Sequence, residues 1–239
     1  MRNCLIKQFL MLLKSTSVKK QSNQGGVNTP PFLYIFQNKN TMKILIDCGH
    51  NYSDTWQKMS PIKPDGTRFY EYQSNRTIGK MLAEELRKLG IAYEFIINPD
   101  DKNDMTLEKR VSIANNIARK EGKSNVLYLS LHSDAFGDGN TWYDDIRGFS
   151  IYTSKGNTKS DEYAKIFLKH YTNRLSKLSK IRGIKEDNFY VLKHTICPAI
   201  LLENAFYTSH KDLELLESEQ GRREIVQAMV DAIRDIVDK

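Results

Sequence analysis

Cysteine is scarce in this 239-residue chain, and long apolar runs are absent. Cys4, Cys48 and Cys197 form no Cys-x-x-Cys pair, which argues against a disulfide framework and a thiolate metal site. Cys48 is predicted to be a small buried residue at a strand end rather than a nucleophile. No stretch approaches the roughly 18 apolar residues that suggest a membrane span. With 40% hydrophobic residues, the sequence predicts a soluble globular protein with one main core.

Acidic residues are absent from the first 41 residues, which hold six of the 36 basic residues. The rest of the chain therefore has 30 basic and 29 acidic residues, so +6 of the net charge of +7 lies in this segment. A nearly neutral remainder gives no support for a nucleic-acid groove. Residues 1–41 are predicted to be a basic low-complexity extension, disordered or preceding a true start at Met42. A signal peptide is the alternative, but Lys7 interrupts LIKQFLMLL and no small-x-small cleavage site follows.

From Met42 onward, apolar strand-type runs alternate with segments of helical periodicity. The runs predict strands at residues 43–47, 92–97, 125–132, 148–154 and 199–202. The periodic segments predict helices at 73–89, 107–120, 160–178 and 224–237. Ser209 with Asp212 predicts the capping box of a further short helix. The alternation predicts one α/β domain, residues 42–239, with three layers around a largely parallel sheet.

Three predicted strands lead into a histidine or a glutamate. LIDCGHN carries His50, LYLSLHSDA carries His132 and AILLENAF carries Glu203. Glu71, in FYEYQSNR, precedes the first long helix, where the chain returns to the same edge of the sheet. Two histidines and one glutamate form an open set typical of catalytic zinc, which leaves Glu203 as a base. Separate structural roles remain open for each residue, because ligands so scattered lack the specificity of an HExxH helix.

Six segments, in order along the chain, carry a resemblance to a known family. They are ILIDCGHN, YEYQSNRTIG, DMTLEKRVSIANN, LYLSLHSDAF, RGIKEDNFYVLKHTICPAILLENAF and TSHKDLELL. Together they resemble the zinc-dependent N-acetylmuramoyl-L-alanine amidases, the amidase_3 family of peptidoglycan hydrolases, across nearly all of residues 43–239. The resemblance implies a three-layer sandwich with a mixed, mostly parallel sheet of about six strands flanked by helices.

The resemblance also implies the site and its chemistry. His50, Glu71 and His132 correspond to the ligands of Zn²⁺, and Glu203 corresponds to the catalytic glutamate. The implied reaction is hydrolysis of the amide between N-acetylmuramic acid and L-alanine, in peptidoglycan or muropeptides. It would take place at the cell envelope or outside the cell, in an autolysin or in a phage lysin released from the cytoplasm. Family members usually have glycine where this chain has Ala205, although the glutamate itself is retained.

Further residues are expected near these four. Asp134 is expected to orient a ligand imidazole or to stabilise its own loop. Trp142 is expected to contact substrate or to pack against its own domain, and His194 to bind substrate or to be a loop histidine. Between Thr153 and Val191 there is room for one helix and a connection, but not for the blocking insert of cell-division members. We therefore expect an open site that needs no activator. The protein is separately expected to be a monomer.

Two alternatives remain for the function. A zinc carboxypeptidase or other peptidase would use a similar ligand set and would place an arginine near the site, with Arg68, Arg76 and Arg147 as candidates. A catalytically inactive wall-binding protein is the other alternative, and the retention of all four site residues argues against it.

Overall fold

The computed structural model of the chain describes residues 42–238, except for the side chains of residues 55 and 56. The predicted basic extension, residues 1–41, lies outside the described residues. Within them, no helix combines the length and the apolar character needed to cross a membrane.

Strands and helices alternate along the described chain. The strands are β1 (Lys43–Cys48), β2 (Tyr93–Phe95), β3 (Val126–Asp134), β4 (Phe149–Thr153), β5 (Ile181–Glu186) and β6 (Ala199–Phe206). The α-helices are α1 (Glu71–Lys88), α2 (Leu107–Glu121), α3 (Lys159–Leu175), α4 (Tyr190–His194), α5 (His210–Glu217) and α6 (Glu219–Val237). Two 3-10 segments, Tyr52–Trp56 and Lys123–Asn125, follow β1 and α2.

The strands form one sheet in the order β2-β1-β3-β6-β4-β5. Strands β2, β1, β3 and β6 are parallel, whereas β4 pairs antiparallel with β6 and parallel with β5. The predicted mixed, mostly parallel sheet of about six strands is confirmed. Its three central strands, β1, β3 and β6, end at the same edge, where loops bring functional groups together.

Helices cover both faces of the sheet, because the strands bury side chains on both sides. Ile44, Ile46 and Cys48 of β1 belong to a core formed with α1, α3, α5 and α6. Leu45 belongs to a second core formed with α2 and α4. The alternation follows the two-residue period of a strand. It explains why β1, buried at every position after Lys43, appears in the sequence as a continuous apolar run.

Cys48 is a buried core residue, as predicted. Its sulfur packs against α1 at Gly79, where an added Cβ would lie 2.6 Å from the sulfur. Burial raises the pKa of the Cys48 thiol to about 12. The thiol is therefore protonated at neutral pH and is no nucleophile.

Strand β6 is longer than predicted, so Glu203 lies inside the strand and not at its end. Ala205 has a φ of 67°, in the left-handed region, and a register shift between His132 and Asp134 accompanies it. The strand bulges at this point, and Phe206 pairs with Asp134. Ala205 thus keeps the backbone conformation that glycine, the usual family residue, adopts most readily.

Three other elements differ from the prediction. Strand β5 was not predicted, because Arg182, Gly183 and Lys185 interrupt its apolar pattern and five of its six residues are only half-buried. The short helix α4 was not predicted either. Helix α6 begins at Glu219 rather than at residue 224, and the Ser218 hydroxyl caps it by accepting a hydrogen bond from Gly221 N.

Helix α5 forms after Ser209 as predicted, but the predicted capping box is wrong. The buried Asp212 carboxylate accepts hydrogen bonds from the backbone N–H groups of Gly148 and Phe206, at 2.7 and 3.0 Å, and from the Ser179 hydroxyl, at 2.5 Å. Asp212 therefore links β6 to the residue before β4 and to the loop after α3. These three hydrogen bonds compensate for the cost of burying the carboxylate.

Candidate metal centre

His50, Glu71 and His132 lie together where β1 and β3 end and α1 begins. His50 Nε2 is 3.1 Å from Glu71 Oε2, and His132 Nδ1 is 3.2 Å from both Glu71 Oε1 and His50 Nε2. Hydrogen bonding alone does not explain these distances, because an N–H at His132 Nδ1 cannot donate linearly to both Glu71 Oε1 and His50 Nε2. Ligands about 2.0–2.1 Å from a tetrahedral Zn²⁺ stand about 3.3 Å apart. The three side chains therefore present their donor atoms with the spacing of a zinc ligand set.

Arg110 holds the loop that carries His50. The backbone of His50 is left-handed, with a φ of 67°, a conformation that costs about 1–3 kcal/mol for most residues. The buried guanidinium of Arg110 donates to Asp47 Oδ1 at 2.7 Å and to the carbonyls of Cys48 and His50 at 3.0 and 3.1 Å. It also donates to Asn51 Oδ1 at 2.8 Å. This one side chain from α2 thus bonds to the two residues on either side of Gly49, the last two of β1 and the first two after Gly49.

Glu71 is held as an anion at the start of α1. Its Oε1 accepts hydrogen bonds from Ser133 N at 3.0 Å and from Asn75 Nδ2, one helical turn further on, at 3.3 Å. Burial opposes the charge, but the hydrogen bond with His132 and the charge of His50 hold the pKa of Glu71 well below its usual value. The carboxylate therefore has the charge state and the fixed orientation of a metal ligand.

The His132 imidazole packs against Gly49. A Cβ at Gly49 would lie 2.3 Å from atoms of the ring, so only glycine leaves space for it. Burial lowers the pKa of His132 despite the adjacent Glu71. The ring is therefore neutral at neutral pH, and neutral imidazole is the form that binds a metal.

Glu203 lies beside the ligand set on β6. It is the register partner of His132 on one side and of Ser150, in β4, on the other. Its Oε2 is buried and has no hydrogen-bond partner among the described residues. Burial raises the pKa of the Glu203 carboxyl well above its usual value, and the charges of Glu71 and Asp134 raise it further. A half-buried glutamate whose buried Oε2 lacks a partner among the described residues is suited to proton transfer.

Two cavities meet at this centre and share His50, Lys58 and Glu203. The large cavity, about 430 Å³, has an apolar wall formed by Met105, Leu107, Phe189, Tyr190, Val191 and Leu201. The polar cavity, about 250 Å³, is lined on its far side by Gln57, Ser133, Asp134, Gly137, Asp138 and Gly139. The centre therefore lies between an apolar and a polar compartment.

Of the three further residues expected near the site, one lines a cavity of the centre and two do not. Asp134 lines the polar cavity, but its carboxylate accepts a hydrogen bond from Ala135 N at 2.9 Å and none from a ligand imidazole. Trp142 stacks on His210, with ring centroids 3.9 Å apart, beside a separate groove. His194 packs against Tyr190 at 4.3 Å and lines neither cavity.

Four residues of the centre were missed in the sequence, namely Gly49, Lys58, Asn75 and Arg110. Two of them carried a usable signal. Asn75 follows Glu71 by four residues, which places both on one helical face. Arg110 lies within the segment DMTLEKRVSIANN, as a basic residue on the helix face that turns towards the sheet. Gly49 also lies within one of the six segments, ILIDCGHN, but its role, like that of Lys58, depends on what the fold brings against it.

The sequence also matches a protein family over most of its length. A family described as N-acetylmuramoyl-L-alanine amidase (Amidase_3) matches residues 44–235. The chain belongs to this amidase family. Membership supports the assignment as a hydrolase of a cell-wall amide.

Named proteins similar to this amidase-family chain come from several bacteria. The probable cell wall amidase LytH of Staphylococcus aureus is 25% identical over 193 residues, which are 80% of this chain but only 57% of LytH. The chain thus spans little more than half of LytH. The uncharacterized protein YqiI of Bacillus subtilis is 23% identical over 201 residues, 82% of this chain and 85% of YqiI.

Solved structures of amidases share the fold. The N-acetylmuramoyl-L-alanine amidase of Clostridium difficile 630 superposes with a TM-score of 0.69 at 25% identity, over 84% of this chain and 98% of that chain. The catalytic domain of CwlV, from Bacillus (Paenibacillus) polymyxa var. colistinus, superposes with a TM-score of 0.68 at 21% identity, over 83% of this chain and 99% of CwlV's. The second likeness is one of fold alone.

Proposed function

We propose that this chain is a zinc-dependent N-acetylmuramoyl-L-alanine amidase. It would hydrolyse the amide bond between N-acetylmuramic acid and the L-alanine of the stem peptide, in peptidoglycan or muropeptides. The observation that carries the proposal is the ligand set of His50, Glu71 and His132 next to the unpartnered carboxyl of Glu203, in a chain of the amidase family. The site of action would be the cell wall, outside the cytoplasm, and residues 42–239 would form a monomeric catalytic domain.

An amide resists water at both ends, because its carbonyl is a weak electrophile and its amine a poor leaving group. Zinc held by His50, Glu71 and His132 would polarise the carbonyl and lower the pKa of a bound water towards about 7. Glu203 would take a proton from the attacking water and deliver it to the departing nitrogen. Hydrogen-bonded strands on both sides of β6 hold the Glu203 backbone in place for this transfer.

The arginines expected of a peptidase do not line either cavity. Arg68 donates to the carbonyl of Ser60 at 2.6 Å and Arg76 to the carbonyl of Asp101 at 2.7 Å. Arg147 is likewise absent from both linings. Arg110 does line the large cavity, but its guanidinium is occupied by Asp47 and the loop acceptors. This arrangement favours the amidase over a carboxypeptidase.

Mass spectrometry of muropeptides incubated with the purified protein tests the proposal. We expect release of an intact stem peptide with a free L-alanine amine, without any added activator protein. A chelator should abolish the release and zinc should restore it. The Glu203→Gln variant should bind zinc like the wild type and lose nearly all turnover, because an amide cannot accept the proton. Cleavage elsewhere in the peptide, or near-normal turnover by Glu203→Gln, would overturn the proposal.

A further inference from the structure

Lys58 is the third residue shared by the two cavities, and the proposed chemistry gives it no role. The other two shared residues are His50, which is proposed to hold the metal, and Glu203, which is proposed to move the proton. A substrate that occupies both cavities would lie next to these three side chains. Lys58 is therefore placed to contact the substrate close to the bond that breaks.

The backbone of Lys58 is fixed relative to the metal ligand Glu71. Lys58 O accepts a hydrogen bond from Glu71 N at 3.0 Å, and Lys58 N donates to Asp54 O at 3.0 Å. The next residues extend this link, because Met59 and Tyr70 form an antiparallel bridge. These backbone hydrogen bonds fix the Lys58 backbone relative to the other residues of the centre.

The Lys58 ammonium has no ion-pair or hydrogen-bond partner among the side chains and backbone that the structure describes, although acids surround the centre. Its positive charge lowers the pKa of Glu203, against the larger effect of burial, yet the two groups form no ion pair. Both side chains line both cavities. A half-buried cation without a partner, at the edge of such a space, is suited to an anionic ligand group.

The proposed substrate offers one anionic group near the scissile bond. The muramic acid side presents hydroxyl, acetamido and ether groups, which are uncharged. On the peptide side, the second residue is a D-glutamate joined through its side-chain carboxyl, so its α-carboxylate stays free one residue from the scissile nitrogen. Consecutive residues are only about 3.8 Å apart, measured between Cα atoms. The apolar wall of the large cavity would take the alanine methyl and the glutamyl methylenes.

We propose that Lys58 binds this α-carboxylate, so that the enzyme prefers stem peptides whose second residue is the free acid over those in which it is the amide. The inference rests on the amidase function proposed above. It makes Lys58 a specificity-determining residue that acts by substrate contact.

Two muropeptides that differ only at this α-carboxyl, as free acid or as carboxamide, provide the test. The wild type should cleave the acid with a kcat/KM about 10- to 100-fold higher, the range of a charge-assisted hydrogen bond. Lys58→Gln should lower kcat/KM for the acid by a similar factor more than for the amide, so that the preference disappears. Lys58→Arg should keep part of the preference for the acid, because arginine keeps the positive charge. The Kd of the released free-acid peptide should rise in Lys58→Gln in parallel.

Lys185→Gln is the matched control. Lys185 also lowers the pKa of Glu203 by its charge, but its Nζ donates to the Tyr152 hydroxyl at 3.2 Å and it lines neither cavity. The preference for the acid should survive in this variant. Equal losses on both substrates in Lys58→Gln, or a wild type without preference, would overturn the inference and leave the amidase function standing. A zinc-loaded wild type that cleaves neither muropeptide would overturn both.

Discussion

Gly49 has no side chain because the His132 ring occupies the space that a Cβ would need. We expect Gly49→Ala to lower zinc affinity by about 10- to 100-fold, the effect of disturbing the residues that orient a metal ligand. Competition with a chromogenic chelator would measure the change.

Gly90→Ala is the control for Gly49→Ala. Gly90 has open space around it but a φ of 69°, so alanine there should cost about 1–2 kcal/mol of stability and leave zinc affinity unchanged. Wild-type zinc affinity in Gly49→Ala would show that His132 binds no metal in the position described.

At the scale of residues, the sequence indicated which side chains meet but not how they are held. Resemblance to the amidases pointed to His50, Glu71, His132 and Glu203, which the structure brings together. The spacing alone left structural roles open for each of them. The free ammonium of Lys58 could not be predicted, because a lysine in a sequence gives no sign of whether an acid pairs with it.

At the scale of elements, α2 and β1 are joined by the buried Arg110–Asp47 pair. Asp47 also accepts hydrogen bonds from the Tyr128 hydroxyl at 2.6 Å and from the Ser130 hydroxyl at 3.2 Å. We expect Arg110→Met to destabilise the metal-free protein by about 3–5 kcal/mol, because it leaves the Asp47 carboxylate in the interior without a counter-charge. Urea unfolding in the presence of a chelator would measure this effect apart from metal binding.

The double variant Arg110→Met with Asp47→Asn separates the buried charge from lost packing, because the amide oxygen can still accept from the Tyr128 and Ser130 hydroxyls. It should be more stable than Arg110→Met alone, since no uncompensated charge remains. Both variants should bind zinc more weakly than the wild type, because the loop at His50 has lost its guanidinium contacts. A double variant that is no more stable than the single one would contradict the ion-pair account.

Elements buried on both faces were predictable from the sequence, and elements at the margins were not. Strands β1 and β3 gave clear apolar runs. Strand β5 lies at the sheet edge, where the half-exposed Arg182 and Lys185 remove the pattern. The continuation of β6 past Glu203 depends on the bulge at Ala205, which no periodicity reveals.

At the scale of the whole molecule, the two cores and the candidate metal centre are built within residues 42–238. We therefore expect a chain that begins at Met42 to keep the unfolding midpoint and the muropeptide activity of the full chain. It should elute earlier from a cation exchanger, because six positive charges are removed. Thermal unfolding and the mass-spectrometric assay would measure this. A lower midpoint would instead assign residues 1–41 a part in the fold.

The position of Glu203 between β3 and β4 has a consequence for the time course of activation. Its amide lies among central strands, which exchange their hydrogens with solvent only through near-global opening. In the zinc enzyme proposed above, removal of the metal would therefore leave the Glu203 backbone in place. We expect the metal-free protein to recover turnover as fast as zinc binds, in a single concentration-dependent phase without a lag.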